Sequence, residues 1–376
     1  MKAKSLIPSI LIVLCSLCSA AGLAQKHLDS LVDVTTNKVF EDPEAAIRIG
    51  EDVLTKATKP KTKTYALMLI SNAYLSKREN TKSLEYALKT RQYLDKISSE
   101  KTRINVLNTI GMQYQQLGIY DKAIDYLDEA LQRSKKITDP EKLPSLLGFN
   151  YTIRGFIYRE QMSCQIALNY FNKAIFHFKK ISADNSMTAN LSTLCYNKGN
   201  CFLQISQIDS ARVNFKKSIA YAQSIGANSL YAFAKKGLSE VYTVEGNYNQ
   251  AITALEEAEK ASQQVGDLIL NQGIYKNFSD NYLALNNHDL YKIYFDKYKN
   301  VQKQIHIKEE KTINNSIKDT IEENQLHTEK TLLKLQTVQW ILLGLIIALF
   351  VILTILTLKN HKKLKKAQAK LESLTQ

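Results

Sequence analysis

Three observations in the sequence predict an all-α fold. Only 13 glycines and 5 prolines are spread over 376 residues, which favours long helices joined by short turns. Hydrophobic residues make up 45% of the chain, enough for a sizeable core. A pattern of small and large residues also recurs every 40 or 44 positions, as expected when one helical unit is repeated along a chain.

The N-terminal residues have the features of an export signal. Two lysines precede an apolar run from Leu6 to Leu17, and small residues follow it. About a dozen apolar residues are too few to cross a hydrocarbon layer of ~30 Å as a helix. We therefore expect residues 1–24 to be a signal peptide that is cleaved after Ala24, with cleavage after Ala20 as the alternative.

Two short helices are predicted between the signal peptide and the repeats. Residues 42–54 open with the sequence DPEAAI, and a proline in the first turn is typical of a helix start. Residues 27–38 form a second candidate helix. We expect this pair to cap the N-terminal end of the repeated region.

The repeated pattern is clearest in the sequence NTIGMQYQQLGIYDKAIDYLDEAL. Its positions 8, 20 and 27 hold small residues that would let helices approach closely: Gly111, Ala123 and Ala130. Its positions 11, 17 and 24 hold large residues that would fill the remaining space: Tyr114, Tyr120 and Leu127. The same register recurs around Gly155, Gly199 and Ser239, with weaker copies around Ser71 and Ser279. These are packing requirements rather than catalytic ones.

These positions match the consensus of the tetratricopeptide repeat (TPR), which the chain resembles over roughly residues 27–300. The resemblance implies a TPR-type right-handed helical solenoid at residues 25–300, with about six degenerate repeats. Each TPR repeat is a helical hairpin, and stacked hairpins form an extended concave surface that is lined by their first helices. The usual TPR period is 34 residues. We therefore expect the additional residues in the second helix of each hairpin or in the turn between hairpins.

The resemblance also nominates groove residues, because TPR proteins usually hold an extended peptide or a helix of a partner on the concave surface. Consensus positions 2, 5, 9 and 12 give the candidates Asn72, Asn108, Met112, Gln115, Thr152, Phe156, Arg159, Tyr196, Asn200, Leu203, Lys236 and Glu240. Some TPRs that bind a C-terminal carboxylate combine a lysine at position 5 with an asparagine at position 9. Here Met68 stands beside Asn72, so that clamp is not reproduced.

Residues 301–337 depart from the repeat register, yet neither glycine nor proline interrupts them. One long helical linker is expected, with an uneven apolar stripe (Ile305, Ile313, Ile317, Ile321, Leu326, Leu333). Two interpretations remain open. The linker could form a homodimer through residues 301–336 as a coiled coil in a signalling protein, or it could pack on the last repeat.

A transmembrane helix is predicted at residues 338–358, where Trp340 to Leu358 contains no charged residue. Six lysines follow within the tail, residues 359–376, against two shortly before the apolar run. The positive-inside rule therefore places the tail in the cytoplasm and the solenoid outside it. The corresponding location is a single-pass protein of a bacterial inner membrane, with the TPR region in the periplasm.

The net charge of +14 does not by itself indicate nucleic-acid binding. Part of the excess lies in the tail, where it suits a membrane surface, and the remainder is scattered among acidic neighbours. Cys164, Cys195 and Cys201 are odd in number and irregular in spacing, so no disulfide framework is indicated. No sequence motif for catalysis, a metal or a cofactor is present. Our expectation is a protein that is not an enzyme.

Three hypotheses for function follow. The first is a membrane-anchored extracytoplasmic scaffold that binds a protein or peptide in its groove. The second is the sensor portion of a signal-transduction protein, since the layout resembles the periplasmic half of TPR histidine kinases and TPR helix-turn-helix regulators of Bacteroidetes-type bacteria. The third, an enzyme of the cell envelope, lacks a recognisable site.

Overall fold

The computed structural model describes residues 25–372, apart from 37–38, 40–41, 138, 140, 142, 182–186 and 264–266. The signal peptide predicted at residues 1–24 lies outside the described part. Of residues 308–331, 334, 348 and 367–372 only the backbone is described, so the apolar stripe predicted in the linker also lies largely outside it. The described residues contain helices and no strand, which confirms the all-α prediction.

The helices follow one another with short connections, and a 3-10 helix, Thr90–Lys96, follows the fourth. In chain order they are α1 (25–36), α2 (Pro43–Lys56), α3 (Pro60–Ser76), α4 (Asn80–Lys89), α5 (Glu100–Gln116), α6 (Tyr120–Ser134), α7 (Leu143–Glu160), α8 (Cys164–Phe178), α9 (Thr188–Gln204), α10 (Ile208–Ser224), α11 (Asn228–Val244), α12 (Tyr248–Ser262), α13 (Leu268–Ala284) and α14 (His288–Glu372).

The chain divides into two units between Glu309 and Glu310. In the first unit each helix from α2 to α13 packs against its neighbour in sequence. First helices of successive hairpins also pack on one another, as α5 does on α7, α9 on α11 and α11 on α13, and a hydrogen bond from Arg159 to Asn197 joins α7 to α9. This nearest-neighbour packing is that of a solenoid, in which every hairpin buries its apolar face on the next. At the N-terminal end, Val32 of α1 and Ala46 of α2 share a core with Ile70 of α3.

The additional residues of each repeat lie partly where the sequence analysis did not place them. The first helix of each hairpin begins four or five residues before consensus position 1, for example at Glu100 where position 1 is Ile104. Helix-start signals explain the extension: Ser99 caps α5, Asp267 caps α13, and Pro60 is the first residue of α3. The second helices, such as Tyr120–Ser134, are not lengthened in the same way.

All six first helices from α3 to α13 end in the same way. The residue at consensus position 15 has a positive φ in every hairpin, and the next residue donates a backbone hydrogen bond of 2.8–2.9 Å to the carbonyl five positions earlier. Two of the six residues are glycines, and the others are Arg78, Met162, Ser206 and Asn286. The same cap therefore sets the turn in each hairpin.

The second unit consists of the later part of α14. Among the described residues, one helix is long and apolar enough to cross a membrane, at Leu335–Lys366, where the most apolar window of 18 residues has a mean hydropathy of 3.1. None of its most apolar window is buried. Trp340, at the start of the apolar run, is 72% exposed.

Candidate partner-binding groove

A cavity of about 700 Å³ lies across four successive repeats. We call it the central groove. Helices α5, α7, α9 and α11 contribute most of its walls. The lining residues are Gln115, Gln116, Leu117, Gly118, Tyr120, Phe156, Arg159, Glu160, Thr193, Tyr196, Asn197, Ser218, Leu230 and Phe233. A cavity of this size accommodates a peptide segment or another medium-sized ligand.

Four of the candidates nominated from the sequence line the central groove, namely Gln115, Phe156, Arg159 and Tyr196. They come from the first helices of three consecutive hairpins. The structure therefore brings together residues that are up to 81 positions apart in sequence (115 to 196). Their shared direction follows from the repeat register, because equivalent positions of stacked helices point to the same side.

Arg159 is held in place by neighbouring side chains within the central groove. Its guanidinium donates hydrogen bonds to the Oδ1 atom of Asn197 and to the carboxylate of Glu160. It also lies 5.7 Å from the ring centroid of Phe156, within the range of a cation–π contact. Asn197 in turn donates 2.8 Å to the Thr193 carbonyl. The Arg159 charge is thus compensated locally, which leaves the groove close to neutral.

Aromatic side chains form one wall of the central groove. The ring centroid of Tyr196 lies 5.7 Å from that of Phe233 and 6.0 Å from that of Phe215. Phe156 packs edge-on against Phe171 at 5.8 Å. Rings fixed in this way offer an apolar surface without a large loss of side-chain entropy on binding.

Lys236 and Glu240 form an ion pair beside the aromatic wall, with 2.6 Å between the Nζ and Oε1 atoms. Burial alone would lower the pKa of Lys236. The Glu240 carboxylate and Tyr196 outweigh that effect, so the pKa of Lys236 is raised. Asn277 donates a further hydrogen bond of 3.2 Å to Glu240. These two candidates are therefore engaged with groups of the protein itself.

Two candidates have a structural environment that the sequence analysis did not anticipate. Asn108 is 4% exposed; it donates to the Leu146 carbonyl at 3.2 Å and accepts from Asn150 at 2.9 Å. Thr152 is buried too and donates to the Gly148 carbonyl at 2.8 Å. Asn108 thus links α5 to α7, whereas Thr152 is bonded within α7, and both buried side chains offer little surface to a partner.

The remaining candidates are half-buried residues outside the central groove: Asn72, Met112, Asn200 and Leu203. Sequence reasoning missed Phe233 and Thr193, although both stand at consensus position 2 of their repeats. It also missed Leu230 and Asn197, which occupy positions without a consensus role. Among the described residues, no three His, Cys, Asp or Glu side chains are grouped so that they could hold a metal ion.

Comparison with known families finds a tetratricopeptide repeat at residues 104–137. This segment spans α5 and α6, the hairpin whose sequence carries the clearest copy of the pattern. No curated protein has significant sequence similarity to the chain.

Several solved structures share the fold. One is a signal transduction ATPase with numerous domains from Pyrococcus horikoshii, which has a tetratricopeptide repeat sensor. Its sequence identity to this chain is 15% and its TM-score is 0.59, and the match covers 75% of this chain and 41% of that chain. NprR in complex with its cognate peptide NprX is 15% identical with a TM-score of 0.54, over 81% and 87% of the two chains. Aspartyl phosphate phosphatase F from Bacillus subtilis is 18% identical with a TM-score of 0.54, over 78% and 75%. The chain therefore contains a tetratricopeptide repeat within a helical solenoid that has the fold of TPR proteins.

Proposed function

We propose that the protein is a membrane-anchored, extracytoplasmic scaffold that binds an extended peptide or a segment of a partner protein in the central groove. The observation that carries this proposal is the groove itself. Its walls combine fixed aromatic rings with the exposed amide of Gln116, and its arginine is already paired with Glu160. Amide side chains suit the backbone of a bound peptide, and the rings suit apolar side chains.

The structure of NprR with its peptide gives the proposal support at the level of the fold. The fold is shared over 87% of that chain, and NprR is bound there to its cognate peptide NprX. The identity of 15% supports no residue-by-residue transfer, so the assignment of groove residues here depends on the cavity alone.

The proposed topology combines the sequence signals with α14. Residues 1–24 would direct export, residues 338–358 would cross the membrane, and the lysines beyond residue 358 would keep the tail in the cytoplasm. Alkaline phosphatase is active only outside the cytoplasm, so its fusion at residue 300 should be active and its fusion at residue 370 inactive. The reverse pattern would invert the proposed orientation, and two active fusions would exclude the membrane span.

A second function, the sensor portion of a signal-transduction protein, is favoured by one observation. The second helix of the last hairpin and the apolar stretch belong to the same helix, α14. A ligand that binds the solenoid could then alter the membrane segment through a continuous helix. This alternative also predicts a homodimer through residues 301–336, which analytical ultracentrifugation of the detergent-solubilised full chain would detect.

The groove proposal can be tested by photo-cross-linking in the native membrane. A photoreactive amino acid at Gln116, which is exposed in the groove, should trap a partner. The double substitution Phe156→Ala and Arg159→Ala removes a cation–π pair from the groove, and we expect it to abolish the adduct. The matched control is Phe176→Ala with Lys180→Ala, which removes a cation–π pair of 4.2 Å at the C-terminal end of α8, outside the groove. If the control variant loses the adduct and the groove variant keeps it, binding occurs on another surface.

A further inference from the structure

Two of the three cysteines in the described residues share one core. Cys164 is the first residue of α8, and Cys201 lies in α9, the first helix of the next hairpin. Both are buried, and both belong to a cluster that includes Phe171 and Leu194. The third, Cys195, is also buried but lies outside this cluster.

The two thiols are neighbours in space as well as in burial. The Cys164 side chain is the neighbouring group that contributes most to the raised pKa of Cys201. Cys164 also donates to the Oε1 atom of Gln204 at 2.9 Å. Gln204 lies three residues beyond Cys201 in α9, on the same face of the helix. The Cys164 sulfur therefore lies against the face of α9 that carries Cys201, and the two cysteines share one core.

We propose that Cys164 and Cys201 form a disulfide bond when the protein folds in an oxidising compartment, linking the second helix of one repeat to the first helix of the next. The bond would close a loop that contains α8 and most of α9. It would constrain the unfolded chain at the hairpins that build the central groove. The inference is independent of what the groove binds.

The reaction balances with a disulfide as the oxidant. One cysteine thiolate attacks a sulfur of the oxidant, here oxidised glutathione, and releases one glutathione thiolate. The second cysteine thiolate attacks the resulting mixed disulfide and releases the second. The two cysteine sulfurs are oxidised, the glutathione disulfide is reduced, and the two thiol protons end on two glutathione molecules.

Burial decides when this reaction can happen. Burial, followed by the neighbouring Cys164 side chain, raises the pKa of Cys201 to about 12. Only the thiolate is a nucleophile, so the folded pair reacts slowly even with an oxidant present. We therefore expect the bond to form while the chain is still folding. Once the hairpins have packed, the same burial protects the bond from reductants.

Peptide mapping of the full-length protein tests the proposal directly. The detergent-solubilised chain is unfolded in urea, refolded with reduced and oxidised glutathione, alkylated and digested with trypsin. Trypsin places the three cysteines on separate peptides, residues 160–173, 181–198 and 199–212. We expect peptides 160–173 and 199–212 to be joined, with a mass ~2 Da below their sum because two hydrogens are lost. Peptide 181–198 should carry an alkylated Cys195.

Variants provide the matched controls. Cys195→Ala should leave the joined peptides unchanged, whereas Cys201→Ala should abolish them. Added dithiothreitol should lower the urea midpoint of the oxidised wild-type protein and of Cys195→Ala, and should not change that of Cys201→Ala. Alkylation of all three wild-type cysteines, or joining of Cys195 as often as Cys164 to Cys201, would overturn the proposal. The wild-type map decides the matter even where a variant fails to fold.

Discussion

The ring of Phe215 lies so close to Gly199 that a methyl group on this glycine would come within 2.6 Å of the ring's Cε1 atom. Gly237, in α11 of the following hairpin, lies against the same ring. One phenylalanine of α10 therefore fills the space left by two missing side chains, one in α9 and one in α11. The contact couples three helices and two repeats through a single ring.

Replacing Gly199 should destabilise the solenoid. We expect Gly199→Ala to lower the free energy of unfolding by about 1–3 kcal/mol, because the fully buried Phe215 ring has no free space to move into. Urea unfolding followed by circular dichroism measures the change. Gly273→Ala is the control, since its added methyl would meet only the flexible end of the Lys236 side chain at 3.0 Å. That variant should be neutral or slightly more stable; an equal loss in both would contradict the packing argument.

The left-handed caps predict a stabilising substitution. Ser206 ends α9 with a φ of 60°. A residue with a Cβ atom is disfavoured there by about 1–2 kcal/mol, whereas glycine is not. Glycine also makes the unfolded chain more flexible, so Ser206→Gly should increase the free energy of unfolding by up to ~1 kcal/mol. Ser206→Ala keeps the Cβ atom and should bring no gain, which makes it the control in thermal melts.

Glu100 predicts a pH-dependent contribution to stability. Burial alone would raise its pKa, but Arg133 at 3.1 Å and Arg103 at 2.9 Å outweigh this, so the pKa of Glu100 is lowered from its ordinary 4.5. A carboxylate whose pKa is lowered by folding stabilises the folded state above the unfolded pKa. This contribution is lost as the pH falls through the lowered, folded pKa.

We therefore expect Glu100→Gln to cost at most about 1 kcal/mol at pH 7, given that the pair is partly solvated. The difference from the wild type should disappear as the pH falls below 4.5. Urea midpoints of both proteins between pH 3 and pH 7 measure it. Asp125→Asn, which removes a pair of 3.9 Å between two exposed groups, should have no effect at any pH. A constant difference for Glu100→Gln would mean that charge is not its cause.

Asn150 is predicted to be the critical residue of a buried polar network. It donates to Asn108 at 2.9 Å and to the Leu127 carbonyl at 2.8 Å, and it accepts from Arg154 at 2.9 Å. Asn150→Ala would leave these partners unpaired in the interior, and we expect a loss of about 2–4 kcal/mol in urea unfolding. Asn169→Ala, on the exposed side of α8, is the control and should cost close to nothing. If Asn150→Ala lost no more unfolding free energy than Asn169→Ala, water would have replaced the missing amide.

The hairpins could be predicted from sequence because their packing rule is local. Gly111 must face Leu127 for two helices to approach, and both residues lie within one segment of 34 residues. The lengthened first helices were missed although their signals are in the sequence. Ser99 and Pro60 are ordinary helix-start residues, but the consensus register places the start of each first helix at position 1, four or five residues later.

The groove was less predictable, because consensus positions give the direction of a side chain and not its exposure. Asn108 and Arg159 both stand at consensus positions that nominate groove residues, positions 5 and 12, yet only Arg159 lines the cavity. Asn108 is buried because Asn150 and Arg154, which have no consensus role, draw it into a network. The contact between Cys164 and Cys201 was equally out of reach, since it depends on how one hairpin is stacked on the next.

Trp340 is the single tryptophan of a chain that contains 20 tyrosines, and it stands at the beginning of the apolar run of α14. Emission excited at the red edge of indole absorption therefore comes from that segment alone, and the repeats contribute nothing to it. The protein thus carries a built-in optical reporter: a blue shift on addition of vesicles reports transfer of this segment into lipid. Far-ultraviolet dichroism of the same sample reports the state of the solenoid, so the two units can be followed separately without any label.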